Sequence, residues 1–174
     1  MSKPSVTQII SSLLPIYSDI PPEVLVKAAK RGTAVHELCF KLLVGDFVAV
    51  KPDYEPYVMC FEKWIPHVEE VILVEKALET DQFVGHPDLV VKMQGKNVLV
   101  DLKTTAQKQM VSWKLQLAGY WVLCEANDIK IDRAGCLWIN KSKTIPEFVE
   151  LRDVEKWKKL FLSCVDVYYL QKYI

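Results

Sequence analysis

Two aspartates and one lysine stand at positions where their side chains can converge on one point. Asp88 precedes a strongly apolar run, and Asp101 and Lys103 end another. On adjacent antiparallel strands, Asp88 and Asp101 would lie opposite each other, within about 5 Å. Residues two apart in a strand share a face, so Asp101 and Lys103 point the same way while Leu102 points into the core.

This arrangement suits the hydrolysis of phosphodiester bonds. Two carboxylates that close would repel each other unless a cation lies between them, and hard oxygen ligands of this kind suit Mg²⁺ or Mn²⁺. The backbone carbonyl of Leu102 is a further available ligand. A divalent ion would polarise a phosphoryl oxygen and generate hydroxide, while Lys103 would orient the attacking water. The alternative is a solvated strand face, but both aspartates border apolar runs, where an unpaired charge is costly.

Glu75 and two polar residues of a later helix are candidates for the same site. Glu75 follows the apolar run Val71-Ile72-Leu73-Val74, so it is either a strand-edge residue or a third acid of the cluster. Gln116 and Tyr120 are four residues apart in the sequence and therefore share one helix face. Tyr120 is equally consistent with a half-buried apolar stripe of that helix, in which case Gln116 is incidental.

His36 is a candidate metal ligand, because a neutral imidazole could complete a metal shell. It lies in a predicted amphipathic helix, one turn after Gly32-Thr33, where the backbone can approach a partner closely. A lone histidine in such a helix is more often structural, so both interpretations stay open.

The elements that must position these residues follow from hydrophobic periodicity and from proline and glycine punctuation. A helix beginning at Pro21-Pro22-Glu23 carries an apolar stripe that includes His36, and the Gln94-Gly95-Lys96-Asn97 turn joins two of three strands in a meander. The predicted helices span about residues 5–14, 21–43, 52–64, 107–126 and 154–173, and the predicted strands about residues 69–78, 83–93, 97–103 and 134–140.

This order of elements predicts an α/β fold in which a central mixed sheet of about four to five strands is flanked by helices. The length suits one domain, residues 1–174. Within it we expect an N-terminal helical part (1–68), a catalytic sheet and helix (69–141) and a C-terminal helix (142–174).

Composition narrows the class of protein. Lys+Arg and Asp+Glu balance at 22 each, which argues against a pure DNA-coating module, since such proteins are normally basic. No apolar run reaches the roughly 18 residues of a membrane span, and the first residues lack the features of a signal peptide, so a cytoplasmic protein is predicted. The cysteines are odd in number and lack C-x-x-C spacing, which predicts small buried side chains in a reducing compartment: Cys39, Cys60, Cys124, Cys136 and Cys164.

Together these residues resemble the RecB-like branch of the PD-(D/E)xK nucleases. That branch includes the RecB nuclease domain, CRISPR-associated spacer-processing nucleases, mitochondrial genome-maintenance exonucleases and many phage exonucleases. Each motif is weak alone, but all occur in the family's order over about residues 31–121. The matching pieces are Gly32-Thr33-Ala34-Val35-His36-Glu37, Glu75, Gly85-His86-Pro87-Asp88, Asp101-Leu102-Lys103-Thr104-Thr105 and Gln116-Leu117-Ala118-Gly119-Tyr120.

The resemblance implies a role for each matching residue in a restriction-endonuclease-like core. Asp88 and Asp101 would be the principal ligands of Mg²⁺ or Mn²⁺, with His36 and the Leu102 carbonyl completing the shell. Lys103 would position or activate the water and stabilise the charge that develops on phosphorus. The remaining matches would support the site or touch the substrate: Glu75 would support the acidic cluster, Gln116 would hold Lys103, Tyr120 would contact the DNA backbone or brace the site, and the hydroxyls of Thr104 and Thr105 could touch phosphate.

The resemblance also sets the expected activity. It implies a nuclease, most often an exonuclease, acting on DNA in viral or prokaryotic recombination, repair or replication, alone, as a homo-oligomer or with a partner protein. Trp113, Trp121 and Tyr120 would stack on unpaired bases if exposed, although their helical spacing favours core packing for at least two of them. The dispersed cysteines predict no iron–sulfur cluster. Two alternatives stay open, an inactive DNA-binding relative and a nuclease acting on RNA.

Overall fold

A five-stranded mixed sheet with helices on both faces forms the framework of the protein, which confirms the predicted α/β fold. The computed structural model describes residues 3–15 and 18–171. No helix in these ranges is long and apolar enough to span a bilayer. The helices are α1 (Val6–Leu13), α2 (Pro22–Leu43), α3 (Glu55–Glu62), α4 (Met110–Ala126) and α5 (Val154–Leu170), and the strands are β1 (Glu70–Val74), β2 (Leu78–Glu79), β3 (Val84–Gly85), β4 (Leu89–Met93), β5 (Lys96–Lys103), β6 (Arg133–Trp138) and β7 (Glu147–Glu150).

The sheet begins with the predicted antiparallel meander. Its order is β1-β4-β5-β6-β7, in which β4 is antiparallel to both β1 and β5. The hairpin between β4 and β5 turns at Gln94 (φ 51°) and Gly95 (φ 69°), the two positive φ values that a tight two-residue hairpin requires. This turn sets Leu89 opposite Val100. The ladder ends at this pair, and Asp88, directly before β4, lies beside the end of β5 that carries Asp101.

Helix α4 carries the chain from β5 to the parallel strand β6, because a parallel pair needs a crossover connection. It packs against the sheet on one side and against α1 and α5 on the other. For this reason it is apolar nearly all round, and the single stripe expected from the sequence is wrong. Trp113, Tyr120 and Trp121 are all buried, so base stacking on them is excluded in favour of core packing.

The two faces of the sheet pack against different helices, and this decides where the polar residues point. Leu102 and its same-face neighbours contribute to the core formed with α2 and α3. Leu99 and Cys136 face the opposite way, into the core formed with α1, α4 and α5. Since Asp101 and Lys103 alternate with Leu102, they project on the α4 side of the sheet, at the end of β5.

The predicted strands 69–78 and 83–93 are wrong as continuous strands. Each is broken: β1 ends at Val74, Glu75 adopts a left-handed conformation (φ 43°), and β2 and β3 form a separate two-stranded sheet. Pro87 explains the second break, because proline has no N–H to donate to a ladder. The break places Asp88 in a loop directly before β4, with freedom to turn its carboxylate toward β5.

The remaining differences lie in shorter elements. The segment 142–174 contains β7, the fifth strand of the main sheet, before its helix. This strand has only four residues and follows Pro146, so its sequence pattern was too short to predict a strand. Helix α3 is shorter than residues 52–64 and is followed by a 3₁₀ turn, Ile65–His67. The first turns of α2 are largely exposed, including Ala29, so the predicted apolar stripe is buried only in its second half. The predicted helix end at Tyr173 lies outside the described residues.

A valine at position 119 is expected to destabilise the fold. A Cβ at Gly119 would approach the Phe161 ring to 2.8 Å and Val6 Cγ1 to 2.9 Å, where α4 crosses α5 and α1. We expect Gly119→Val to lower the free energy of unfolding by about 2–4 kcal/mol through overpacking, measured by urea denaturation. Lys159→Val, at an exposed position of α5, should change it by only about 0.5 kcal/mol; equal losses for the two variants would refute close packing at Gly119.

Candidate active site

Three of the predicted residues meet where β4 and β5 approach one another at one end of the sheet. The Lys103 Nζ lies 2.6 Å from Asp101 Oδ2. Asp88 Oδ2 accepts a 2.7 Å hydrogen bond from the Leu102 backbone N–H, which fixes this carboxylate against β5. The structure thus brings together the acid, acid and lysine expected from strand alternation. The proposed role of the Leu102 carbonyl stays a prediction, since the recorded contact uses its amide.

Asp101 is the most constrained charged group of the site. Its side chain is 1% exposed, and its Oδ1 is buried without a hydrogen-bond partner among the described residues. Burial, and then the neighbouring Asp88, raise the pKa of Asp101, against the opposing effect of Lys103. A buried carboxylate with one unsatisfied oxygen is costly unless a cation or a donor completes it. A cation or a hydrogen-bond donor bound at Asp101 Oδ1 would therefore stabilise the site.

Lys103 is held by two acceptors in a short polar chain that enters the core. Its Nζ donates to Gln116 Oε1 at 2.6 Å as well as contacting Asp101, and Gln116 Nε2 donates to the Tyr120 hydroxyl at 3.0 Å. Burial alone would lower the pKa of Lys103, but Asp101, through its charge and a hydrogen bond, outweighs burial and raises this pKa. Lys103 is therefore a charged ammonium group at neutral pH, with two of its three N–H bonds directed at these acceptors.

The hydrogen bonds that link Lys103, Gln116 and Tyr120 also fix the position of the Tyr120 side chain. Tyr120 is 6% exposed, and burial raises the pKa of its hydroxyl. Gly85 permits this packing, because a Cβ there would approach Tyr120 Cε1 to 3.0 Å and Leu123 Cδ1 to 2.7 Å. The geometry favours the bracing role predicted for Tyr120 over direct contact with a substrate.

His36 reaches the same cluster from helix α2. Its Nδ1 lies 3.6 Å from Asp88 Oδ2, and both side chains are mostly buried. Burial alone would lower the pKa of His36, but Asp88, through its charge and a hydrogen bond, and then Asp101 outweigh it and raise this pKa. The imidazole thus contacts one of the two aspartates, and its role as a metal ligand stays a prediction.

The contacts of the remaining predicted site residues, Glu75, Thr104 and Thr105, do not test their predicted roles. Glu75 is exposed, and its carboxylate makes no hydrogen bond or ion pair within residues 3–15 and 18–171, although its backbone N–H donates to Asp88 O at 2.9 Å. Its left-handed conformation is strained for a residue with a Cβ. Thr104 is buried, with Oγ1 facing Gly32, and the Thr105 hydroxyl donates to Gln107 O at 2.8 Å. Supporting and phosphate-contacting roles for these residues stay predictions.

Two residues that the sequence analysis did not single out, Arg31 and Cys136, also border the site. The Arg31 guanidinium donates to Thr104 O at 3.4 Å and lies 5.7 Å from the centre of the Tyr57 ring, with its Nε buried and unpartnered in the described part of the chain. The Cys136 thiol points at Asp101 Oδ2, 3.7 Å away. Arg31 is half-buried on a helix whose first turns are largely exposed, so the sequence carried no clear signal for it. The position of Cys136 depends on the parallel register of β5 and β6, which no local pattern reveals.

The donor set fits a hard divalent cation. No group of three or more His, Cys, Asp and Glu side chains is arranged as a ready metal site in the ranges that the structure describes. The unsatisfied, buried Oδ1 of Asp101 is nevertheless an oxygen that lacks a positive partner, and Asp88 and His36 lie beside it. Two carboxylates and one imidazole are ligands that Mg²⁺ or Mn²⁺ accepts.

The chain thus has an α/β core with two aspartates and a lysine at the end of its central strands. The family description of the PD-(D/E)XK nuclease superfamily matches residues 55–173, more than half of the chain, and the chain belongs to this superfamily. Helix α2, with Arg31 and His36, lies outside the matched residues. No curated protein sequence matches the chain. The crystal structure of SSO0001 is similar with a TM-score of 0.50 and 15% identity, over 96% of this chain and 76% of that one, a likeness that supports the fold alone.

Proposed function

We propose that this protein is a divalent-metal-dependent nuclease that hydrolyses DNA, and that it acts as an exonuclease of the RecB-like type. The observation that carries the proposal is the convergence of Asp88, Asp101, Lys103 and His36 at one end of the sheet, where Asp101 Oδ1 has no hydrogen-bond partner among the residues that the structure describes. Asp88, Asp101 and His36 would hold Mg²⁺ or Mn²⁺. When bound, such an ion supplies charge for the phosphoryl oxygen and lowers the pKa of a water molecule.

The residues of the chain supply the rest of the chemistry. Lys103 is charged, so it acts by electrostatics: one of its N–H bonds is directed neither at Asp101 nor at Gln116 and is available to a water or a phosphate oxygen. Gln116 and Tyr120 fix the position of that ammonium group. Preorganised charge of this kind costs no rearrangement when negative charge develops on phosphorus.

A groove beside the site would admit the substrate. It has a volume of about 260 Å³, lies between α1 and α4, and reaches Gln116. Its lining carries neutral hydroxyl and amide groups from Thr7, Gln8, Ser11 and Ser112, together with apolar side chains, and no acidic side chain. The absence of negative charge in this lining is compatible with the approach of a polyanion.

Incubation with labelled DNA tests the proposal. End-labelled single-stranded, blunt duplex and closed circular DNA are each incubated with Mg²⁺, Mn²⁺ or EDTA, beside the Lys103→Ala variant. We expect metal-dependent degradation of linear but not circular DNA that the variant lacks, and the labelled end would give the polarity.

The outcomes separate the alternatives. Cutting of circles would replace the exonuclease by an endonuclease. Cleavage of RNA in place of DNA would keep the chemistry and change the substrate. Binding without cleavage under either metal would indicate an inactive DNA-binding relative.

Two substitutions distinguish bracing from substrate contact in the chain behind Lys103. We expect Gln116→Met to lower kcat about 10- to 100-fold, because it removes a hydrogen bond to a charged group worth roughly 1.5–3 kcal/mol. Tyr120→Phe removes a neutral hydrogen bond and should lower kcat by only about fivefold, with KM unchanged. Steady-state cleavage of a labelled oligonucleotide measures both; a Tyr120→Phe effect confined to KM would instead indicate contact with the nucleic acid.

A further inference from the structure

A row of side chains runs from Lys103 to the edge of the sheet. Lys103 on β5 pairs with Trp138 on the parallel strand β6, and Trp138 pairs with Glu147 on the edge strand β7. Residues in register on neighbouring strands project on the same face. Trp138 and Glu147 therefore continue, on the α4 side of the sheet, the line that begins at the lysine of the candidate active site.

Two more lysines converge on this row from different loops. Lys108 Nζ lies 5.0 Å and Lys143 Nζ 4.6 Å from the centre of the Trp138 ring. Lys108 also pairs with Glu147 Oε1, and Lys143 pairs with Glu147 Oε2 at 3.1 Å. Two separate loops thus place two cations over one tryptophan. We call Lys108, Trp138, Lys143 and Glu147 the Trp138 ridge.

The tryptophan at its centre is fixed in place. Trp138 Nε1 donates to Thr105 O at 2.8 Å, and its ring lies 6.4 Å from that of buried Trp113. Both lysine ammonium groups lie over the Trp138 ring. Its role is to hold two ammonium groups through cation–π attraction, worth about 0.5–1 kcal/mol each at partly exposed sites.

The ion pairs of the Trp138 ridge contribute little to the stability of the fold. The side chains of Lys108, Lys143 and Glu147 are 32%, 31% and 39% exposed. Ion pairs that exposed contribute roughly 0–1 kcal/mol. Two lysines share a single carboxylate, so the ridge retains a net positive charge after its internal pairing. Such a group, next to a phosphodiester-cleaving site, suits an anion that brings more oxygens than Glu147 does.

We propose that the Trp138 ridge binds the phosphodiester backbone of the nucleic acid strand on the β7 side of the active site, an inference that rests on the proposed function. Lys108 and Lys143 contact phosphates of the strand. When no strand is bound, the Glu147 carboxylate occupies the position of those phosphates. Contacts of this kind position a strand without reading its sequence. Binding through the ridge is therefore independent of sequence and depends on salt.

Glu147 gives the proposal a second consequence. The hydrogen bonds from Lys108 and then Lys143 hold the pKa of Glu147 below its usual range, so it is ionised at neutral pH and competes with phosphate for both lysines. Neutralising this carboxylate should strengthen nucleic acid binding. Loss of a merely structural ion pair would leave binding unchanged or weaken it.

Fluorescence anisotropy with a labelled oligonucleotide of mixed sequence, in EDTA and over a series of NaCl concentrations, tests the ridge without cleavage. For the double variant Lys108→Gln and Lys143→Gln, we expect the slope of log Kd against log salt to fall by about 1.4 for a single strand, at about 0.7 for each phosphate contact. Affinity at moderate salt should fall about tenfold or more. Replacing both lysines by arginine should preserve the slope, and Glu147→Gln should raise affinity.

The matched control is the double variant Lys156→Gln and Lys159→Gln, which removes the same charge from exposed positions of α5. Circular dichroism checks the fold of each variant. An unchanged slope in the ridge variant, an equal fall in the control, or no binding by the unaltered protein would overturn the proposal. Failure of the proposed function looks different, since the slope would still change while Mg²⁺ and Mn²⁺ produced no cleavage.

Discussion

Replacing Lys103 by methionine is expected to lower the rate of DNA cleavage by about 10²- to 10³-fold, the usual effect of removing one preorganised electrostatic donor. Methionine keeps much of the length of the side chain but supplies no positive charge. Asp101 Oδ2 and Gln116 Oε1 then lose the ammonium group that they share at 2.6 Å each. Single-turnover cleavage of end-labelled DNA at saturating Mn²⁺ measures the chemical step and separates it from binding.

The control for this prediction has the same chemistry at a different place. Lys158 is 15% exposed, against 14% for Lys103, and also contacts two acceptors, Glu125 at 2.8 Å and Glu155 at 3.0 Å. Lys158→Met should therefore cost some stability but leave the cleavage rate within about twofold, as expected for a change away from the site. Equal losses in the two variants, or an active Lys103→Met, would remove Lys103 from the mechanism.

Asp101→Asn is expected to abolish the stabilisation of the protein by divalent ions. In the unaltered protein, an ion at about 100 times its Kd adds roughly 2.7 kcal/mol to the free energy of unfolding. For a chain of this length that corresponds to a rise in Tm of about 5–10 °C. An asparagine offers one neutral oxygen in place of the buried carboxylate, so we expect almost no rise. Differential scanning fluorimetry with and without Mg²⁺, Mn²⁺ or Ca²⁺ measures it.

The same stabilisation should depend on pH with a defined sign. The pKa values of Asp101 and His36 are both raised, the first by burial and then Asp88, the second by Asp88 and Asp101 acting against burial. Both groups therefore retain protons to higher pH than usual, and in those forms neither binds a cation. The metal-induced rise in Tm should be largest above these raised pKa values and should shrink as the pH falls through them.

Asp132 supplies the control for the metal prediction. It lies on the protein surface, where its carboxylate accepts from the Asn97 backbone N–H at 2.9 Å and pairs with Lys130. Asp132→Asn should keep the full metal-induced rise in Tm. A rise that persists in Asp101→Asn would show that the ion binds elsewhere and would remove the main support for a metal site between the two aspartates.

The sequence by itself predicted the centre of the site, and local physics explains why. Strand alternation placed Asp101 and Lys103 on one face, and the tight turn at Gln94-Gly95 aligned β4 with β5 so that Asp88 lies beside the end of β5. Helix periodicity paired Gln116 with Tyr120, and the structure joins them by a hydrogen bond. Each of these relations spans few residues, so intervening structure has little opportunity to alter it.

Only the tertiary structure decided which distant groups complete that centre. His36 meets Asp88, Arg31 meets Thr104, and Cys136 meets Asp101 because helix α2 and the parallel strand β6 pack against β5. The same packing buried most of α4, so that its aromatic residues, predicted either to stack on bases or to fill the core, do the latter. Periodicity along one segment carries no information about register between segments that are far apart in the chain, and long-range packing supplies it.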